Sequence, residues 1–183
     1  MELFKGLRFR IGRFRLKRRI SRTRRTRYTG NINTAKSIGI VWDASVPGEF
    51  RHLSAFYQKM QERNIEVRII ALYPEKVLPD NLTAIRYLSL LRRENVDYFY
   101  CPSSPEAEEF IKRKFDILID LNFEKRFPLE YISSLSAAGL KVGIFDSENE
   151  AHTFDMMMDM KKSTDKGEYL TQVIHYLEIV NRA

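Results

Sequence analysis

Short apolar runs alternate with amphipathic stretches along residues 36–180 of this chain. "SIGIVWD" (37–43), "VRIIAL" (67–72), "FDILIDL" (115–121) and "LKVGIFD" (140–146) are rich in strand-favouring side chains and read as strands. Positions 117–119 are consecutively apolar, as in a central strand buried on both faces. Between the first two runs, Phe50, Leu53, Phe56, Tyr57 and Met60 recur at intervals of three and four, which marks one face of a helix. "SPEAEEFIKRKF" predicts a second helix, with Ser104 as N-cap and Pro105 at the first position. A third is predicted over 128–138, opened by Pro128 and closed by Gly139 as C-cap. Leu170, Val173, Ile174, Leu177 and Val180 define a last amphipathic helix. "FDMMMDM" (154–160) echoes "FDILIDL", which favours a sixth strand there. Residues 73–100 stay open: "LTAIRYLSLLRREN" suits a helix or a strand with a turn, and "DYFYC" looks like strand.

Alternating strands and helices pack as a parallel sheet covered on both faces. The expected fold is therefore α/β: a single Rossmann-like parallel sheet of five to six strands with flanking helices, preceded by a basic N-terminal helix or extended tail. The division is placed after residue 33, giving an Arg-rich tail (1–33) and a Rossmann-like domain (34–183) whose core patterns all follow Lys36.

Charge separates the same two parts. Residues 1–30 hold 12 basic residues and one acid, Glu2, for a net +11, while the remaining 153 residues carry −4. Ten of the 12 are arginine, whose planar fork matches phosphate and stacks on bases. On a helix, Leu3, Phe4, Leu7, Ile11 and Phe14 share one stripe, while Phe9, Leu16 and Ile20 fall on the opposite side, so contacts on two sides are expected. Beyond Ile20, "SRTRRTRYTG" has no apolar period and is expected to be extended or disordered alone.

These features predict a non-enzymatic, RNA-associated protein, ribosome-bound, that grips phosphates through Arg8, Arg10, Arg13, Arg15, Lys17, Arg18, Arg19, Arg22, Arg24, Arg25 and Arg27. If roughly eight basic residues each neutralise a phosphate, affinity for single-stranded RNA falls with a log–log salt slope of about −6. Two other readings stand beside it. The helix suits the anionic surface of an inner membrane, which would make this a peripheral protein. Alternatively the helix packs on its own body or on a partner protein while the arginines stay solvated; without RNA, the acidic 43–49 or 146–150 loops are expected to hold the tail.

"KFDILIDLNFEKRFPLEYISSLSAAGLKVGIFD" resembles the strand–helix–strand segment in one Rossmann-like half of heptosyltransferase-type glycosyltransferases. That resemblance implies a nucleotide-sugar-binding half-domain. Across 36–181 the chain is also similar to an uncharacterised bacterial family of single-domain proteins with a basic N-terminal helix, which implies no activity.

Ligands of an open parallel sheet sit at the carboxyl ends of its strands. Those ends are Asp43–Glu49, Cys101–Glu109, Asp120–Arg126 and Asp146–Glu150, and no glycine-rich phosphate loop lies among them. Carboxylates occupy the helix starts instead: Glu49, Glu106, Glu108, Glu109 and Glu130. They satisfy the helix dipoles and repel phosphate. Asp43, Asp120 and Asp146 could converge on a divalent cation, but strand-end aspartates serve more simply as caps. Cys101 is alone, and His52, His152 and His175 are scattered, so no nucleophile–base pair emerges. Trp42 reads as packing. No cofactor, metal or small-molecule ligand is expected. No run approaches a membrane span and the N-terminus lacks a secretory apolar region, so a cytoplasmic location is expected.

Overall fold

Successive side chains of a strand point to opposite faces, and here both faces are covered. In β1 (Ser37–Asp43), Ile38, Ile40 and Trp42 enter one apolar layer and Val41 enters the other. β2 (Glu66–Leu72) divides likewise, with Ile69 and Ala71 against Ile70 and Leu72. In β4 (Ile117–Asp120), Leu118 enters the second apolar layer, while Ile117 and Ile119 enter the first. With β3 (Leu88–Leu91), β5 (Leu140–Ile144) and β6 (Met156–Met158), these strands form one six-stranded sheet. All are parallel, in the order β3-β2-β1-β4-β5-β6. The order reverses between β1 and β4, as in the Rossmann arrangement. The computed structural model describes residues 4–28, 30–46, 48–75, 77, 82, 84–145, 153–160 and 163–180.

α2 (Phe50–Glu62) and α5 (Lys166–Ile179) cover the first layer through Leu53, Phe56, Met60, Leu170, Val173 and Leu177. α3 (Pro105–Lys112) and α4 (Phe127–Leu135) cover the second through Ala107, Phe110, Leu129 and Ile132. Ser104 caps α3, its hydroxyl accepting from the Ala107 N–H at 3.3 Å, with Pro105 at the first position.

Three expectations change. "DYFYC" is a turn, not a strand: Asp97 Oδ1 accepts from the Phe99 and Cys101 N–H groups at 2.8 and 2.9 Å, and Tyr100 has φ +64°. The open segment before it resolves into β3 and a 3-10 turn at Arg93–Asn95. Gly139 does not cap α4, which already ends at Leu135. Any side chain at Gly139 would meet Tyr28, with the Tyr28 backbone nitrogen 2.8 Å from its Cβ, so glycine is needed there for chain crossing. Tyr28 crosses here, and beyond it Ile32 is fully buried, its N–H donating to the Leu177 carbonyl at 3.1 Å.

Candidate nucleic-acid interface

The basic segment forms α1 (Lys5–Ile20), built mostly from good helix formers, with Lys17, Arg18 and Arg19 placed favourably in its last turn. It lies on α4, α3 and the 97–101 turn. The stripe facing the body is the one containing Phe9 and Leu16. Leu16 is buried in the second layer, and the Phe9 ring packs edge-on against Phe127 at 5.1 Å. Gly12 makes the close approach possible. A Cβ there would sit inside van der Waals contact of the Phe99 carbonyl oxygen and 2.9 Å from a Phe127 ring carbon.

Five arginines are consumed by this docking. Arg8 Nε donates to the Tyr98 carbonyl at 2.6 Å, and its guanidinium covers the Tyr98 and Tyr100 rings at 4.0 and 4.6 Å. Arg15 pairs with Asp97 at 3.1 Å and lies over Phe99. Arg13 reaches Glu130 at 3.1 Å. Arg19 forks onto Glu108 at 2.7 and 3.2 Å and donates to the Tyr131 hydroxyl. The Arg19 hydrogen bond to Glu108 holds that carboxyl below its usual range. Further along, Arg25 donates to the Ala138 and Gly139 carbonyls and pairs with Asp155. Glu108 and Glu130 thus do more than satisfy helix dipoles: they are sockets for α1. Among the described residues the 43–49 loop receives none of these arginines, and 146–150 lie outside them.

The other six candidates point away. Arg10, Lys17, Arg18, Arg22, Arg24 and Arg27 are all exposed. Among the described residues, none of the six has a hydrogen-bonded or ion-paired side-chain partner, although Arg27 lies close enough to Asp155 to favour its charged form. The apolar stripe beside them is uncovered as well: Phe4 is 65% exposed, Leu7 54% and Phe14 66%. Sequence reasoning placed all eleven cations in one group; what it missed was the partition, because Asp97, Glu108 and Glu130 lie 82 to 117 residues from the arginines they bind.

The carboxyl edge of the sheet is internally satisfied. Burial opposes ionisation of Asp43, but hydrogen bonds from Ser45 and Arg126 outweigh it and keep its carboxyl low. Asp120 is pushed up to about 6 by burial, against hydrogen bonds from Ser133 at 2.6 Å and from Asn122. Both carboxylates are therefore occupied by protein donors, and Asp146 lies outside the described residues. No group of three His, Cys, Asp or Glu among the described residues is placed to hold a metal ion. Cys101 is buried, its thiol pushed up to about 11 by desolvation and by Asp97, the opposite of an activated nucleophile. His52 lines an open polar cleft with Glu49, Arg51, Asp165 and Lys166, where Lys166 pairs with Glu49. His175 lies on α5, and His152 is outside the described residues. Trp42 is buried in the core. No helix among the described residues is long and apolar enough to cross a membrane.

A model described as a family of unknown function, DUF6913, matches residues 8–180. No curated protein matches. Among solved structures, the chain is similar to the crystal structure of an exopolyphosphatase-related protein from Bacteroides fragilis. The TM-score is 0.50 at 16% identity, over 80% of this chain and 41% of that one. The chain thus spans about two fifths of that protein, and the likeness concerns the fold. The 114–146 segment pointed to heptosyltransferases, but this structural neighbour is an exopolyphosphatase-related protein and not a heptosyltransferase; a strand–helix–strand of this kind recurs wherever a parallel sheet is built.

Proposed function

The chain belongs to the DUF6913 family of unknown function, and we propose that it is a non-enzymatic RNA-associated protein whose N-terminal helix and arm bind phosphates from a position fixed on the α/β body. One observation carries this reading. Of the eleven candidate cations, the body engages five, four of them in ion pairs, and leaves Arg10, Lys17, Arg18, Arg22, Arg24 and Arg27 exposed. A surface that paired every arginine would be structural only. One that leaves six unpaired beside a mildly acidic body has an external polyanion as its natural partner.

The number of open cations revises the salt dependence. Six phosphate contacts give a slope of about −4 on single-stranded RNA, rather than −6. Fluorescence anisotropy with labelled RNA over a salt series measures it. Arg22→Ala, Arg24→Ala and Arg27→Ala together should flatten the slope by about 2. Arg13→Ala and Arg19→Ala should leave it unchanged while lowering the melting temperature. A slope that ignores the first set, or responds only to the second, overturns the reading. Ribosome association is tested by pull-down of the full chain from cell extract with and without ribonuclease; capture that survives ribonuclease counts against RNA as the tether.

A further inference from the structure

The phosphate reading leaves the exposed rings on α1 unexplained. Phe4 and Phe14 have no aromatic or cationic partner among the described residues, and with Leu7 they stand 54 to 66% exposed. The contrast with the other side of the helix is sharp. There Tyr98, Phe99 and Tyr100 each carry an arginine over the ring, and Phe9 packs on Phe127. α1 therefore has one face whose aromatic–arginine contacts are complete within the molecule, and one whose rings and cations are both unmatched.

Resting on the RNA reading above, we infer that the outer face of α1 is a site for unpaired RNA: Phe4 and Phe14 are platforms on which exposed bases stack, and Arg10, Lys17 and Arg18 hold the adjoining phosphates. Ten residues of helix separate the rings by about 15 Å, so each engages its own base. Stacking on aromatic side chains needs bases that are free of a duplex, because a paired base offers no open face. The position of Arg18 decides between RNA and lipid. It lies four residues beyond Phe14 and seven beyond Ile11, hence in line with the apolar stripe rather than beside it. In a bilayer that guanidinium would be carried toward the acyl boundary with the rings. Against RNA it meets the phosphate between stacked bases. The arm that follows, with Arg22, Arg24 and Arg27 exposed, supplies further cations and no apolar side chain to insert.

The test uses the full chain with Phe4→Ala and Phe14→Ala, singly and together. Binding is measured on a short mixed-sequence single-stranded RNA, on the same strand annealed to its complement, and on vesicles containing anionic phospholipid. Each single change should weaken single-strand binding by about fivefold or more, with the salt slope unaltered. Duplex binding should not change. Arg10→Ala, Lys17→Ala and Arg18→Ala together should flatten the slope on both RNAs, by about 2 on the single strand and about 3 on the duplex. If the phenylalanine variants bind the single strand as well as the parent does while the triple variant binds poorly, the stacking site is refuted and the phosphate reading stands. If the parent chain ignores both RNAs at about 50 mM salt yet binds vesicles, with loss in the phenylalanine variants, both fall in favour of a membrane surface. Circular dichroism of each variant shows whether α1 is retained. Should alanine unfold it, Phe4→Leu and Phe14→Leu take its place, since they keep the helix and the apolar area but remove the ring face; the same loss of single-strand binding is then expected, and parent-like binding refutes the stacking site.

Discussion

Two glycines on one helix make opposite predictions. Gly6 and Gly12 both lie in α1, and replacing either by alanine removes backbone freedom from the unfolded chain and improves helix propensity by up to about 1 kcal/mol. At Gly6 a Cβ meets nothing within 4 Å. Gly6→Ala should therefore stabilise the protein, by about 0.5 kcal/mol because the site is in the first turn. At Gly12 the same methyl group collides with the Phe99 carbonyl and the Phe127 ring. The carbonyl belongs to a turn held by Asp97, so it cannot swing aside cheaply. Relief comes from lifting α1, which withdraws Leu16 from its layer and stretches the Arg19–Glu108 fork. Overpacking of this kind costs about 1–3 kcal/mol, more than the propensity gain, so Gly12→Ala should be net destabilising by about 1–2 kcal/mol. For a chain of this size that lowers the melting temperature by about 2–8 °C. Thermal unfolding of the two variants side by side measures the sign, and amide exchange across α1 shows whether the loss is local. A Gly12→Ala protein that melts at or above the Gly6→Ala protein would refute the docked position of α1.

Two further expectations follow from buried positions. Folded Asp120 keeps its proton to about pH 6, while the unfolded carboxyl releases it near 3.8, so the native state holds the extra proton between those values. The stability this group contributes is fully present below the unfolded value and is lost as pH rises through about 6, leaving a penalty of about 3 kcal/mol on the ionised form. Asp120→Asn should abolish that part of the pH profile and gain stability at pH 7 relative to the parent; urea midpoints that track the parent from pH 4 to 7 would contradict it. Leu118, fully buried in β4, is the position where a charge should do most harm. Leu118→Asp should unfold the domain, since an unpaired buried carboxylate costs several kcal/mol against a stability of about 5–15 kcal/mol. Near-native melting would contradict the position of β4 in the sheet.

Local patterns determined the parallel sheet, because each strand's composition answers to its own burial. The consecutive apolar positions of Ile117, Leu118 and Ile119 report two covered faces without reference to any partner. Ser104 and Pro105 announce the start of α3 through a hydrogen bond that closes within three residues. The two apolar stripes of α1 led to an expectation of contacts on both sides; the body covers the one with Phe9 and Leu16, and nothing local said which stripe turns inward. The turn at 97–101 escaped sequence reading because aromatic residues are as much at home under a guanidinium as in a strand. Strand order, and the separation of docking arginines from open ones, belonged to tertiary structure alone. Arg18 and Arg19 are neighbours with the same chemistry, yet one helical step of about 100° turns Arg19 onto Glu108 and Arg18 to solvent. Which side of a helix becomes the inside is settled by whatever carboxylates and aromatic rings the rest of the fold brings beneath it.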